Sequence, residues 1–225
     1  MHTDPLSQTI KDNDFQFQQV LAVHQGAVRC LAVLPGTDDL VSGSIDGSAK
    51  LMSIDKTNGQ YSFEKDFTYH DSFVLNVHPN IQNNGFYTAS KDRKIMHVDS
   101  GGNPAKLFEG HENSVNSLSQ SVPEELVSGS WDGTARIWDT NTGKCISVLE
   151  GHQHAVAVLS LPNGIVITGS QDKSIRLWFK GEQQKEIKDA HEDIIRQFTE
   201  VPGIGFASCS NDETVKLWST DGNLL

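Results

Sequence analysis

Apolar and polar residues alternate in short runs along this chain, and no segment holds the spacing of an amphipathic helix for long enough to form one. Near the middle, "SVNSLSQ" (114–120), "ELVSGS" (125–130), "TARIWDT" (134–140) and "KCISVLE" (144–150) each read as a strand. Between them lie Val122-Pro123-Glu124, Trp131-Asp132-Gly133 and Asn141-Thr142-Gly143. These residues turn a chain for different reasons: Pro presets φ, Gly accepts positive φ, and Asn or Asp bonds its own backbone. Four short strands joined by tight turns predict a small antiparallel sheet. The punctuation recurs at Asp46-Gly47, Asn58-Gly59, Pro162-Asn163-Gly164, Pro202-Gly203 and Asp221-Gly222, so the whole chain is expected to be all-β.

The pattern is also a repeat. "SGSWDGTARIWD" (128–139) returns as "TGSQDKSIRLW" (168–178) and "SCSNDETVKLW" (208–218). Aligned on the turn aspartates Asp46, Asp92, Asp132, Asp172 and Asp212, the spacings are 46, 40, 40 and 40 residues. A histidine precedes each one: His24, His70, His111, His152 and His191. Five units of about 40 residues result, near 15–60, 61–102, 103–143, 144–183 and 184–225, after a flexible lead-in over 1–14. That period is the one at which each repeat forms a four-stranded propeller blade. The second unit diverges, with Val98 where later units have Trp138, Trp178 and Trp218; the first has Met52 there.

Composition narrows the function classes. Lys and Arg number 18 against 29 Asp and Glu, a net charge of −11, and no basic run is present. Such a chain is poorly suited to nucleic acid or anionic membrane, which reward clustered cations. Cys30, Cys145 and Cys209 form no CxxC pair; Cys30 and Cys209 sit in strand-like runs and read as small buried thiols of a reducing compartment. The first residues lack the charged and apolar regions of a signal peptide, and a cytoplasmic or nuclear location is expected.

His, Ser or Thr, and Asp together invite a catalytic reading. Five copies weigh against it, because an active site needs one constellation whereas a fold element needs one per repeat. Asp at a tight turn accepts backbone N–H groups and holds the imidazole. The imidazole in turn reaches the hydroxyl of Ser128 or Ser130, and that hydroxyl the Trp138 indole. His24–Asp46, His70–Asp92, His111–Asp132, His152–Asp172 and His191–Asp212, with Ser128, Trp138, Trp178 and Trp218, are therefore expected to be structural. "HQH" (152–154) has no carboxylate or Cys at ligand spacing, so no metal is expected, nor any cofactor or catalytic residue.

The "GH…SGSWDG…IWD" pattern resembles the WD-repeat β-propellers over residues 15–225. Within them, "FEGHENSVNSLS", "LVSGSWDGTARIW", "DAHEDIIR" and "FASCSNDETVKLW" are similar to the propeller of the phospholipase A2-activating protein family. That resemblance implies a non-catalytic, ubiquitin-binding adaptor in protein degradation, working with an AAA-ATPase segregase through regions beyond the propeller. It also implies seven blades. The five units here are thus expected to be part of a seven-bladed ring, the other reading being a five-bladed ring closed by "FQFQQVLAV" (15–23). The alternatives in function are a generic WD-repeat scaffold, or a substrate receptor of a ubiquitin ligase with no affinity for ubiquitin itself, and lastly an enzyme.

A partner is expected on the face that carries the Asp turns. Residues just before each Asp (Ile45, Lys91, Trp131, Gln171, Asn211) and residues near the start of each first strand (Arg29, Asn116, Arg196) should point there, with Phe73 beside them. Trp131 has the look of a binding anchor, its other reading being packing on a neighbouring loop. The apolar patch of ubiquitin, rimmed with basic residues, would suit an apolar anchor on an acidic body.

Overall fold

The computed structural model describes residues 19–82 and 85–225. Five antiparallel sheets follow one another along the chain. Blade one contains β1 (Val28–Val33), β2 (Leu40–Ser44), β3 (Ala49–Asp55) and β4 (Gln60–Phe67). Blade two contains β5 (Val74–Pro79), β6 (Phe86–Ser90), β7 (Ile95–Val98) and β8 (Pro104–Phe108). Blade three contains β9 (Val115–Val122), β10 (Glu125–Ser130), β11 (Ala135–Asp139) and β12 (Cys145–Leu149). Blade four contains β13 (Val156–Ser160), β14 (Ile165–Ser170), β15 (Ile175–Phe179) and β16 (Glu182–Ile187). Blade five has β17 (Ile195–Val201), β18 (Gly205–Ser210) and β19 (Val215–Ser219), with Leu224 bridging back to Trp218 where a fourth strand would lie. Each blade is a simple meander, so every turn joins neighbouring strands and needs only the short Gly, Asp and Asn turns that the sequence supplies.

The first strands β1, β5, β9, β13 and β17 pack in series around a central cavity of about 600 Å3. The core lies between the blades. Val41 and Phe86 pack in the first seam, Leu126 and Trp138 with Tyr87 in the second, Val127 and Trp178 in the third, and Ile167 and Phe206 in the fourth. Burying each such side chain contributes roughly 1.5–3 kcal/mol. Close approach requires a small residue at one place in the second strand of each blade. A Cβ on Gly129 would lie 2.3 Å from the Val156 carbonyl oxygen, and one on Gly169 would lie 2.4 Å from the Phe198 ring. Blade five carries Cys209 at this place, paired in register with Gln197. The thiol is half-exposed rather than buried as expected, since no blade covers that face among the described residues.

The two ends of the series differ from the middle. Val215 occupies the repeat position of Ala49, Ile95, Ala135 and Ile175; those four are at most 1% exposed and Val215 is 73% exposed. Val28, in the place of the fully buried Val74, Val115 and Val156, is likewise exposed. No seam like the four internal ones joins β17 to β1, so the described residues form an open arc rather than a closed five-bladed ring. Of the expected closing strand, residues 15–18 lie outside the described residues. Residues 19–23 pair with no strand; instead the Gln19 side-chain amide donates to and accepts from the Tyr61 backbone.

Lysines on the outer strands tie blades together in a way the sequence did not announce. Lys65 on β4 donates to the carbonyls of Gly101 (3.1 Å) and Gly102 (3.0 Å) in the next blade. Lys106 on β8 donates likewise to Thr140 (2.8 Å) and Asn141, and Lys185 on β16 to Asp221 (3.0 Å) and Gly222 (2.8 Å). The equivalent residue on β12 is Ser147, so the seam between blades three and four lacks the clasp. That seam is joined at its inner edge instead. Val158 N–H donates to Ser117 Oγ (3.1 Å), Ser160 N–H to Ser119 Oγ (2.9 Å), and the Asn116 amide to the Val156 carbonyl (3.3 Å).

Candidate functional site

Each blade carries one copy of a hydrogen-bonded chain under its Asp turn. In blade three, His111 Nδ1 lies 2.8 Å from Asp132 Oδ2 and Nε2 lies 2.7 Å from Ser128 Oγ; Trp138 Nε1 donates to the same Oγ at 2.8 Å. The Asp132 carboxylate can only accept, so Nδ1 carries the proton of the neutral imidazole, Nε2 accepts from the Ser128 hydroxyl, and that oxygen accepts from the indole. In that tautomer every link has one direction. Blades four and five repeat the chain through Thr168 and Trp178, and through Ser208 and Trp218. In blade two Thr88 meets only His70, with Val98 in the Trp place; in blade one Ser42 meets His24 and the Met52 sulfur. The second serine of the motif does different work. Ser130 Oγ donates to the Asn113 carbonyl and accepts the Asp132 N–H, which fixes the turn.

Burial alone would raise the Asp132 carboxyl. Hydrogen bonds from His111, Thr134 and the Glu112 N–H outweigh it and hold the group well below the usual carboxylate range. Asp46, Asp172 and Asp212 show the same balance, and Asp92 is shifted in the same direction. Repetition under every blade, with each polar atom already engaged, makes these networks supports of the turns above them.

What the networks hold up is a set of equivalent residues. The backbone N–H groups of Ile45, Lys91, Trp131, Gln171 and Asn211 donate to the carbonyls of Ala27, Phe73, Ser114, Ala155 and Ile194. All five side chains therefore stand at the same end of their blades, and all five are exposed. Trp131 is 54% exposed and belongs to the central blade. Phe73 is exposed and carries the Lys91 ammonium 4.8 Å from its ring centre. Arg29, Asn116 and Arg196 line the central cavity. Arg196 is held by Asn211 Oδ1 at 2.7 Å. Asn116 differs from its neighbours: it is half-buried, and its amide nitrogen is committed to the next blade.

Among the described residues, no group of His, Cys, Asp and Glu is arranged to hold a metal ion. The lysine clasps and the serine contacts of the third seam were not read from the sequence. The clasp had a signal, a Lys at matching places in three outer strands, but its acceptors are backbone carbonyls and leave no trace in residue identity.

Comparison with known proteins agrees with this architecture. The family model described as "WD domain, G-beta repeat" matches residues 15–52, 102–139 and 143–178, that is, the first, third and fourth units but not the second or fifth. The ubiquitin homeostasis protein Lub1 of Schizosaccharomyces pombe is 36% identical over 218 residues, covering 94% of this chain and 29% of Lub1. Mitochondrial division protein 1 of Coccidioides immitis is 41% identical over 78 residues, covering 34% of this chain and 12% of that protein. The chain thus spans less than a third of these relatives. The crystal structure of the WD40 β-propeller domain of Doa1 superposes with a TM-score of 0.78 at 29% identity, covering 90% of this chain and 68% of that one. Lub1 and Doa1 fit the phospholipase A2-activating protein family to which the sequence is similar. With its five matching sheets and repeated networks, the chain belongs to the WD-repeat β-propeller family.

Proposed function

We propose that this propeller is a non-catalytic interaction module of ubiquitin homeostasis, and that it binds ubiquitin through the face centred on Trp131. The exposed indole of Trp131 carries the reading: a large apolar ring held in the open by a rigid turn, on the middle blade of an acidic body. Aromatic anchors of this kind concentrate binding energy. Ile45 and Phe73 extend the apolar surface, and the negative charge of the chain attracts the basic rim around ubiquitin's apolar patch. The likeness to Lub1, a ubiquitin homeostasis protein, supports the choice of partner. A segregase partnership, implied by the family resemblance, is part of the same proposal for the longer protein.

Titration of isotope-labelled ubiquitin with this chain tests the reading through ubiquitin's amide shifts. Saturable shifts on the apolar patch are expected, weakened about tenfold or more by Trp131→Ala. Trp131→Ala should leave the free energy of unfolding within about 0.5 kcal/mol of the parent, as for other surface changes. No shifts with a folded chain would refute ubiquitin as the partner. The channel mouth lined by Arg29 and Arg196 favours a second reading, a scaffold that takes an acidic peptide there.

A further inference from the structure

The seam between blades three and four is built differently at both edges. At the outer edge the clasp has lost its donor and its acceptor together. Ser147 replaces the lysine, and the longer turns that receive Lys65 (99–103), Lys106 (140–144) and Lys185 (220–223) are replaced by the two-residue turn Lys180-Gly181 between β15 and β16. Both turn residues have positive φ, 51° and 81°, as a two-residue hairpin turn of this hand requires. Gly181 sits directly on Ser147, where a Cβ would come within 2.6 Å of the hydroxyl. Asn, Asp or Gly would take the first turn position at lower strain than Lys.

The consequence is a groove of about 480 Å3 on the outer rim, toward the end of the blades opposite Trp131. Its walls are apolar: Ile146 and Phe179 are both exposed there, with Val122, Ile137 and Pro162 behind them. Two opposite charges line it from different blades, Glu125 from the second strand of blade three and Lys180 from the outermost turn of blade four. Lys180 carries an exposed ammonium 5.4 Å from the centre of the Phe179 ring, with no carboxylate or carbonyl holding it among the described residues. Glu125, at the start of β10, supplies the opposite charge.

We propose that this groove docks an extended peptide segment that places a bulky apolar side chain between Ile146 and Phe179, with an acidic residue on the Lys180 side and a basic residue on the Glu125 side. The inner Glu125 and the outer Lys180 fix the direction of the peptide, and the apolar walls supply the affinity. This site is distinct from the Trp131 face and stands whether or not that face binds ubiquitin.

Panning a display library of short randomised peptides against the full chain tests it, followed by fluorescence anisotropy with the enriched peptides. Enrichment of an acidic–apolar–basic order is expected. Binding should fall about tenfold or more for Phe179→Ala and for Lys180→Glu, fall less for Lys180→Asn, and be unchanged for Trp131→Ala. Asn suits the turn, so the contrast of Lys180→Glu with Lys180→Asn separates charge from folding even if Phe179→Ala is unstable. No enrichment, peptides without the charge order, equal binding to Lys180→Glu, or loss on Trp131→Ala would each overturn the proposal.

Discussion

Replacing Ser128 by Ala puts the directional network to a quantitative test. Ser128 is fully buried, and its hydroxyl both accepts from Trp138 Nε1 and donates to His111 Nε2. The substitution leaves two buried polar groups without partners, at about 1–3 kcal/mol each, so a loss of about 2–6 kcal/mol is expected. Thr88→Val is the matched control. Its hydroxyl serves His70 alone, because Val98 stands in the Trp place, and only about 1–3 kcal/mol should be lost. Urea unfolding followed by tryptophan fluorescence and circular dichroism gives both numbers. The double change Ser128→Ala with Trp138→Phe should cost less than the sum of its parts, since Phe leaves no indole N–H to orphan. A Ser128→Ala loss equal to or below that of Thr88→Val, at unchanged slope, would refute the shared-hydroxyl account.

Three further outcomes follow from the same geometry. Ile175→Asp should prevent stable folding while Val215→Asp at the equivalent repeat position stays within about 0.5 kcal/mol of the parent, because only the former is covered by a blade; equal melting points would contradict the open arc. Lys106→Met keeps the apolar stem but removes the donor to Thr140 and Asn141, and should lower stability by about 1–3 kcal/mol in thermal unfolding, whereas Ser147→Ala, at the seam without a clasp, should be near neutral. The turn aspartates have folded-state pKa values depressed below the unfolded value near 3.9, so they add stability above that pH and lose it as pH falls through the depressed values. The urea midpoint should hold from about pH 7 to 5 and fall below about pH 4, less steeply in Asp132→Asn; a flat midpoint down to pH 3 would exclude this linkage.

Some of this protein was legible because it is local and repeated. Alternation and turn residues placed the four strands of blade three within a residue or two, since strand and turn chemistry act over four to eight neighbouring positions. The His–Asp pairs with their Ser or Thr were legible because five copies at fixed offsets distinguish a fold device from an active site, three of them completed by a Trp. Position on the Trp131 face was legible for the same reason, as the residue before each Asp inherits its place from the turn.

The sequence by itself therefore determined the all-β class, the blade period and the polar networks, all consequences of local conformational preference repeated along one chain. Tertiary structure alone decided the rest. Burial of Ile175 and exposure of Val215 come from the presence or absence of a neighbouring blade, which a residue's own identity does not encode. Lys106 became a clasp, while Lys180 meets the Phe179 ring and no carbonyl among the described residues, because each depends on which backbone carbonyls are turned toward it. Those are relations between units some 40 residues apart, and they exist only once the blades have packed.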